Sequence, residues 1–390
     1  MQQDQSQSNL APAENSVWWL ARRAELLEIA KGQLNAYVYD RNTVSEAVQR
    51  LRGLKSIDRI LYAMKANFNP DLLRLLASLD IDFECVSPDE AEHLLRTVPE
   101  FDKKRILFTP NFAPRADYEW SRELGIQVTL DNLYPLQAWP ELFAGQKIFL
   151  RMDPGEGRGH HEHVKTAGEH SKFGIPRFEL DELVDLVESA GADVVGIHAH
   201  SGSGIPDAES WALVATELAR VADRFPHVAV LDLGGGLGVA DRLGGDPFDL
   251  QAMDGALHEI KRKFPDYQLW LEPGRYLVAE AGILLTHVTQ VKGKGDRQYI
   301  GVGTGMNSLI RPALYGAYHE IVNLSRVDEP ATDTVNIVGL ICETGDTFGV
   351  DRKMPPTEEG DVIAIANAGA YARVMASQYN MRPIPPEIIL

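Results

Sequence analysis

Eight short apolar runs between Arg59 and Leu271 constrain this chain more than any other feature. They are Arg59–Met64, Asp82–Val86, Arg105–Phe108, Gln127–Leu130, Lys147–Met152, Val194–His198, Val228–Leu233 and Gln268–Leu271. They are rich in Val, Ile and Leu, as expected of strands covered on both faces. Segments of helical period lie between them, among them Leu72–Leu79, Phe178–Ala190, Trp211–Phe225 and Leu250–Phe264. Such alternation marks a parallel sheet with crossover helices. Ser87-Pro88-Asp89-Glu90 is a helix start, with serine as cap, proline in the first turn and glutamate three residues on. A helix over Val44–Leu54 precedes the first run and can close the outer ring. Eight units fit a (β/α)8 barrel better than an open doubly wound sheet.

After Pro273 the rhythm changes. Strand-like runs Ile283–Val291, Gln298–Val302, Val335–Cys342 and Val362–Ala366 follow with little helix between, which predicts a β-rich sandwich or barrel domain. The early run Ala36–Tyr39 can join that sheet. The expected organisation is a Gln- and Ser-rich disordered leader or linker over 1–16, and an amphipathic helix (Trp19–Ala30) with a strand joining the β domain over 17–40. The (β/α)8 barrel follows over 41–280 and the C-terminal β domain over 281–390.

The 390 residues suffice for two cores. A formal charge of -18 argues against nucleic acid or an anionic membrane as partner. Two cysteines far apart, Cys85 and Cys342, fit a reducing compartment. There is no apolar run of membrane-spanning length and no signal-peptide pattern in the sequence. The expectation is a cytoplasmic protein.

Barrels of this kind carry their chemistry at the carboxyl ends of the strands. Lys65 closes the first run, within Tyr62-Ala63-Met64-Lys65-Ala66-Asn67. A partly desolvated lysine there is a candidate Schiff-base amine; the alternative is a side chain snorkelling to water. After the sixth run comes His198-Ala199-His200-Ser201-Gly202-Ser203-Gly204, after the seventh Gly234-Gly235-Gly236, and after the eighth Glu272-Pro273-Gly274-Arg275. The glycines expose backbone N–H groups suited to phosphate, with serine and arginine nearby; by themselves they equally fit a tight turn. Glu272 beside a phosphate site needs a cation, either Arg275 or a protonated pyridine nitrogen.

These motifs resemble those of the alanine-racemase-fold pyridoxal-phosphate decarboxylases. The likeness runs from about Asn35 to the C-terminus, and takes in Cys342-Glu343 and Gly369-Ala370-Tyr371. Gly305-Met306-Asn307-Ser308-Leu309-Ile310-Arg311-Pro312-Ala313-Leu314-Tyr315 and Ser171-Lys172-Phe173-Gly174 are similar to the diaminopimelate decarboxylases. The resemblance implies pyridoxal 5'-phosphate held by Lys65, with His200 against the ring and Glu272 at its nitrogen. Ser203, Gly234, Gly235, Gly236, Gly274, Arg275 and Tyr371 would bind the cofactor's phosphate and surroundings. It further implies a homodimer with shared sites, in which Cys342 serves a second subunit as proton donor. Arg275, Arg311, Tyr315, Glu343 and Tyr371 would bind substrate, the arginines taking a distal carboxylate and Glu343 a distal ammonium. The implied reaction is decarboxylation of meso-2,6-diaminopimelate to L-lysine, the last step of lysine biosynthesis.

The chain departs from the family pattern at Ser201, Gly204 and Thr344, which bears on individual contacts more than on the reaction. Alternatives are a decarboxylase of arginine, ornithine or carboxynorspermidine, a non-catalytic pyridoxal-phosphate carrier, and a racemase. His160, His161, His163 and His170 lack a recognisable zinc pattern and read as a mobile loop, so no metal is expected. Trp18, Trp19 and Trp120 read as packing aromatics.

Overall fold

The computed structural model describes residues 17–155, 171–205 and 207–390. The expectations for 1–16 and for His160, His161, His163 and His170 fall outside the described residues. The chain divides into two compact units, one of residues 44–279 and one of residues 1–43 with 280–390.

Strand β1 (Asn35–Tyr39) belongs to the second of these. The other unit is a closed parallel barrel of eight strands: β2 (Arg59–Ala63), β3 (Asp82–Cys85), β4 (Ile106–Phe108), β5 (Gln127–Leu130), β6 (Lys147–Arg151), β7 (Asp193–His198), β8 (Val230–Asp232) and β9 (Gln268–Leu271). Closure is direct, β2 pairing with β9 through Arg59 to Trp270 and Ile60 to Leu271. The apolar runs thus mark the barrel strands, with ends shifted by a residue or two. The helix at Pro88–Thr97 begins as read: Ser87 Oγ accepts from Glu90 N–H at 3.2 Å. The Glu90 carboxylate, however, accepts from the amide of Val86 rather than from that of the cap.

Leu61, Leu107, Phe149, Val230 and Trp270 form one buried cluster drawn from five strands. Phe149 and Trp270 lie with ring centroids 5.4 Å apart. Gly196 on β7 makes room for Phe149, since a Cβ at that position would overlap the ring. At the strand starts, Arg59 lies over the Trp270 ring at 4.3 Å and pairs with Asp82, which Arg105 also reaches.

The second unit is β-rich. Its strands are β1, β10 (Gly282–Lys294), β11 (Arg297–Val302), β12 (Ile321–Asn323), β13 (Asp333–Val338), β14 (Thr347–Met354), β15 (Val362–Ile365) and β16 (Glu387–Ile389). The order is β12-β15-β10-β11-β13-β14, with β1 beside β10 and β16 beside β1. β10 pairs with β1 and β15 through its first half and with β11 through its second, changing register at Val288–Gln290. Two expectations are corrected. The helix expected over Trp19–Ala30 is two, Trp18–Ala21 and Arg23–Gly32. The run Val335–Cys342 leaves the sheet at Val338, so Cys342 is on no strand. Trp19 is buried, and Trp120 packs on Phe108. Among the described residues no helix is long and apolar enough to cross a membrane.

Phe149→Ala should lower stability by about 3–5 kcal/mol, the usual cost of emptying a large buried aromatic site. Urea unfolding reads this directly; an unchanged midpoint would mean that the Phe149–Trp270 layer does not support the barrel.

Candidate active site

Where β2 ends, the chain tightens into a single 3-10 turn, Met64–Ala66, and this turn carries Lys65. Met64 and Ala66 are buried on either side. The Lys65 ammonium lies 3.0 and 3.2 Å from the two carboxylate oxygens of Glu84, a buried residue of β3 that also accepts from Thr109 Oγ1. Ala63 N–H donates to the carbonyl of Pro273 at 3.3 Å. A Cβ at Gly274 would stand 3.0 Å from the Ala66 methyl. The ends of the first and eighth barrel strands are therefore in contact, and Lys65 and the Glu272–Arg275 segment share one mouth.

Glu272 is buried, with His198 Nε2 3.1 Å from its Oε2. Burial alone would push this carboxyl up, but His198 and then Lys65 hold it down at about 2. Asp232 lies in the same pocket, where polar atoms of His198, Asp232 and Glu272 fall within 4.8 Å of one another. Burial, then the charge of Glu272, pushes Asp232 well above the usual carboxylate range. If both carboxyls were ionised, Asp232 Oδ2 and Glu272 Oε1 would be buried without a partner. Burial and the neighbouring charge thus disfavour ionisation of Asp232, while His198 favours it at Glu272. The alternative partner weighed for Glu272, Arg275, goes elsewhere: its guanidinium donates to Ser203 Oγ at 3.2 Å.

His200 Nδ1 accepts from the amide of Gly235 at 3.2 Å. Burial, and then the charges of Arg151 and Lys65, hold its imidazole well below the ordinary range. It is therefore neutral. Gly234 and Gly236 have φ of 68° and 114°, and Cβ atoms at Gly234, Gly235 and Gly236 would overlap the carbonyl oxygens of Ala199, Glu272 and Gly202. Only glycine fits this packing, which leaves a side-chain-free run of backbone next to the Arg275–Ser203 pair.

These residues fit pyridoxal 5'-phosphate. The mouth offers an amine for the aldehyde, a glycine cradle with a hydroxyl and a guanidinium for the phosphate, and a buried ionised carboxylate for the ring nitrogen. Glu272 Oε1 is buried without a partner, so the carboxylate has an oxygen to spare for a donor.

The remaining expected site residues lie in the β unit. Arg311 is buried at the start of a short helix, Arg311–Tyr315, and its Nη1 is 3.0 Å from His319 Nε2. Tyr315 ends that helix, half-buried. Cys342 is exposed and its amide donates to Asn380 Oδ1 at 2.8 Å. Asp346, 4 % exposed, accepts from the amides of Ile341 at 2.7 Å and Met306 at 2.6 Å, so one carboxylate fixes both the Cys342 turn and the Gly305–Asn307 segment. Glu343 is exposed. Tyr371 has a φ of 55°, an uncommon conformation for an aromatic residue.

Residues 41–279 match the model of the pyridoxal-dependent decarboxylase pyridoxal-binding domain. The chain is 38% identical over 372 residues to the diaminopimelate decarboxylase of Methanothermobacter thermautotrophicus, covering 91% of this chain and 86% of that one. This chain belongs to the diaminopimelate decarboxylase family. The Escherichia coli K12 member is 32% identical, with 90% and 88% of the two chains covered. Among solved structures, the diaminopimelate decarboxylase from Helicobacter pylori complexed with L-lysine matches with a TM-score of 0.86 at 30% identity, covering 94% of this chain and 93% of that one.

Sequence reasoning passes over three groups that this family member places at the mouth: Glu84, Asp232 and Arg151. Each lies inside an apolar run, at Phe83-Glu84-Cys85, Leu231-Asp232-Leu233 and Leu150-Arg151-Met152. A charge inside a doubly covered strand is the signal that would have found them.

Glu90 supplies a pH test. Burial raises its carboxyl to about 7, with Glu84 adding to the shift. A carboxyl raised in the folded state contributes its stability in full below the unfolded value and loses it as pH rises through about 7. Glu90→Gln should therefore raise the melting temperature at pH 8, by the equivalent of about 2 kcal/mol, and leave it nearly unchanged at pH 5. Equal shifts at both pH values would refute this account of Glu90.

Proposed function

We propose that this chain is a pyridoxal-phosphate-dependent decarboxylase that converts meso-2,6-diaminopimelate to L-lysine and carbon dioxide. The observation carrying the reading is the shared barrel mouth, where the amine after β2 faces a site that also holds a buried, ionised carboxylate after β9. The names of the relatives support the substrate.

Bound pyridoxal phosphate supplies an electron sink for the pair left behind as carbon dioxide departs. Lys65 would hold the cofactor through its amine, which Glu84 fixes in the barrel mouth. Glu272, kept ionised by His198, keeps a proton on the ring nitrogen. Asp232, whose ionisation burial and the charge of Glu272 disfavour, would lend the site little further negative charge, and His200 would lie against the ring as a neutral imidazole. Ser203, the amides of Gly234, Gly235 and Gly236, Gly274 and Arg275 would hold the phosphate, and the family resemblance adds Tyr371.

Substrate selection falls to the β-unit residues with Arg275. Arg311 and Arg275 offer forked donors to a distal carboxylate, Tyr315 and Tyr371 offer hydroxyls, and Glu343 offers a counter-charge to the distal ammonium. A diamine-forming substrate such as ornithine has no distal carboxylate and so forgoes the charge-assisted contact with Arg311. Cys342 returns a proton to the substrate α-carbon, a role suited to a thiol because its ordinary pKa lies near neutrality.

The working form in this reading is a homodimer, in which Cys342 serves the active site of the second subunit. Exposure of Cys342 supports it. A cytoplasmic location belongs to the same reading, supported by two free cysteines.

Carbon dioxide release from a substrate panel tests the assignment. Release should be rapid with meso-2,6-diaminopimelate and absent or far slower with ornithine and arginine; the reverse order overturns it. Cys342→Ala should lower kcat by about 10²-fold or more. Mixing Lys65→Ala subunits with Cys342→Ala subunits should recover activity that neither possesses, and no recovery would rule out sharing across a dimer.

A further inference from the structure

We infer that His319 is a positioning residue for substrate specificity: as a neutral hydrogen-bond acceptor it aims the Arg311 guanidinium at the distal carboxylate. The inference rests on the proposed role of Arg311 and adds to it a residue that contacts neither cofactor nor substrate.

His319 is fully buried, between the helix Arg311–Tyr315 and strand β12. Its Nδ1 lies 2.7 Å from the carbonyl oxygen of Ala366. A carbonyl oxygen only accepts, so Nδ1 carries the proton. The other nitrogen, Nε2, is 3.0 Å from Arg311 Nη1, a group that only donates. Nε2 must then present its lone pair, and the ring is held as one neutral tautomer by partners on both sides. A proton on Nε2 would set two cationic donors against each other at that distance.

The frame around the ring is rigid. Ala366 sits one residue past β15, and its N–H donates to the Glu320 carbonyl at 2.8 Å, extending the β12–β15 ladder and fixing the carbonyl that holds His319. The backbone carbonyl of His319 accepts from Arg352 Nη2 at 3.1 Å, and the Arg352 guanidinium lies over the Tyr318 ring at 3.8 Å. A Cβ at Gly349 would strike the Arg352 side chain, so that glycine is part of the same frame.

The choice of partner has a chemical consequence. A carboxylate in place of His319 would orient Arg311 equally well but would neutralise its charge. A neutral imidazole fixes one arm of the guanidinium and leaves the positive charge intact for a ligand carboxylate. Directional support from a partner that itself brings no negative charge suits a site discriminating for an anionic substituent.

The test compares two probes on the pyridoxal-phosphate-loaded enzyme by calorimetric titration: L-lysine, which carries the carboxylate, and 1,5-diaminopentane, which lacks it. His319→Phe should weaken L-lysine binding by about tenfold, the loss expected for one misdirected charge-assisted hydrogen bond, and leave diaminopentane binding unchanged. His319→Gln retains an oxygen able to accept from Arg311 and should restore most of the L-lysine affinity. Equal weakening of both probes, or no weakening of L-lysine by His319→Phe, overturns the inference. Failure of His319→Gln to recover affinity beyond the His319→Phe level also overturns it. Arg311→Met serves as the reference: if L-lysine binding survives it, the role of Arg311 itself is wrong. If binding is lost there but not in His319→Phe, only the role of His319 is wrong.

Discussion

A single negative charge, buried inside the barrel, is the constraint to which the site is adjusted. Glu272 is buried, so burial works against its ionised form and the protein must counter it from within. His198 does so through a direct hydrogen bond, and the amine of Lys65 adds to the effect. Asp232, with no such partner, takes the opposite state. Two carboxyls a few ångströms apart thus hold different protonation states because one has an imidazole donor and the other chiefly a backbone amide.

The barrel was legible because strands covered on both faces concentrate apolar residues into unbroken runs, and those of this chain are separated by helical periodicity. Lys65, His200 and Glu272 were legible for a related reason: a polar residue that ends such a run sits where the strand opens to the mouth. Glu84 and Asp232 were not, because each is embedded among apolar neighbours and reads as part of the strand. The partner of Lys65 is set by the spacing between neighbouring strands, which no local pattern reports.

The β unit was less legible. β12 and β16 have three residues each, and β14 contains Asp351, Arg352 and Lys353, so none of them shows a clean alternation. Cys342 was placed on a strand because Val335 to Cys342 is apolar throughout most of its length. What ends the strand earlier is a contact from later in the chain. Asp346 captures the Ile341 amide, and its carboxylate fills the space that a side chain at Gly339 would need. The same carboxylate holds Met306, so the segments bearing Cys342 and Asn307 are joined by a residue belonging to neither. Tyr371 shows a comparable override, since its left-handed backbone is not a conformation that tyrosine prefers.

The lower end of the barrel gives these observations a direction. Trp270 closes over Phe149 from within, and the Arg59 guanidinium lies across Trp270 with Asp82 as counter-ion. Leu61 and Phe149 are fully buried there and Trp270 is 5% exposed, so this end of the barrel interior is filled by apolar side chains, and the polar groups around Glu272 gather at the end where Lys65 stands.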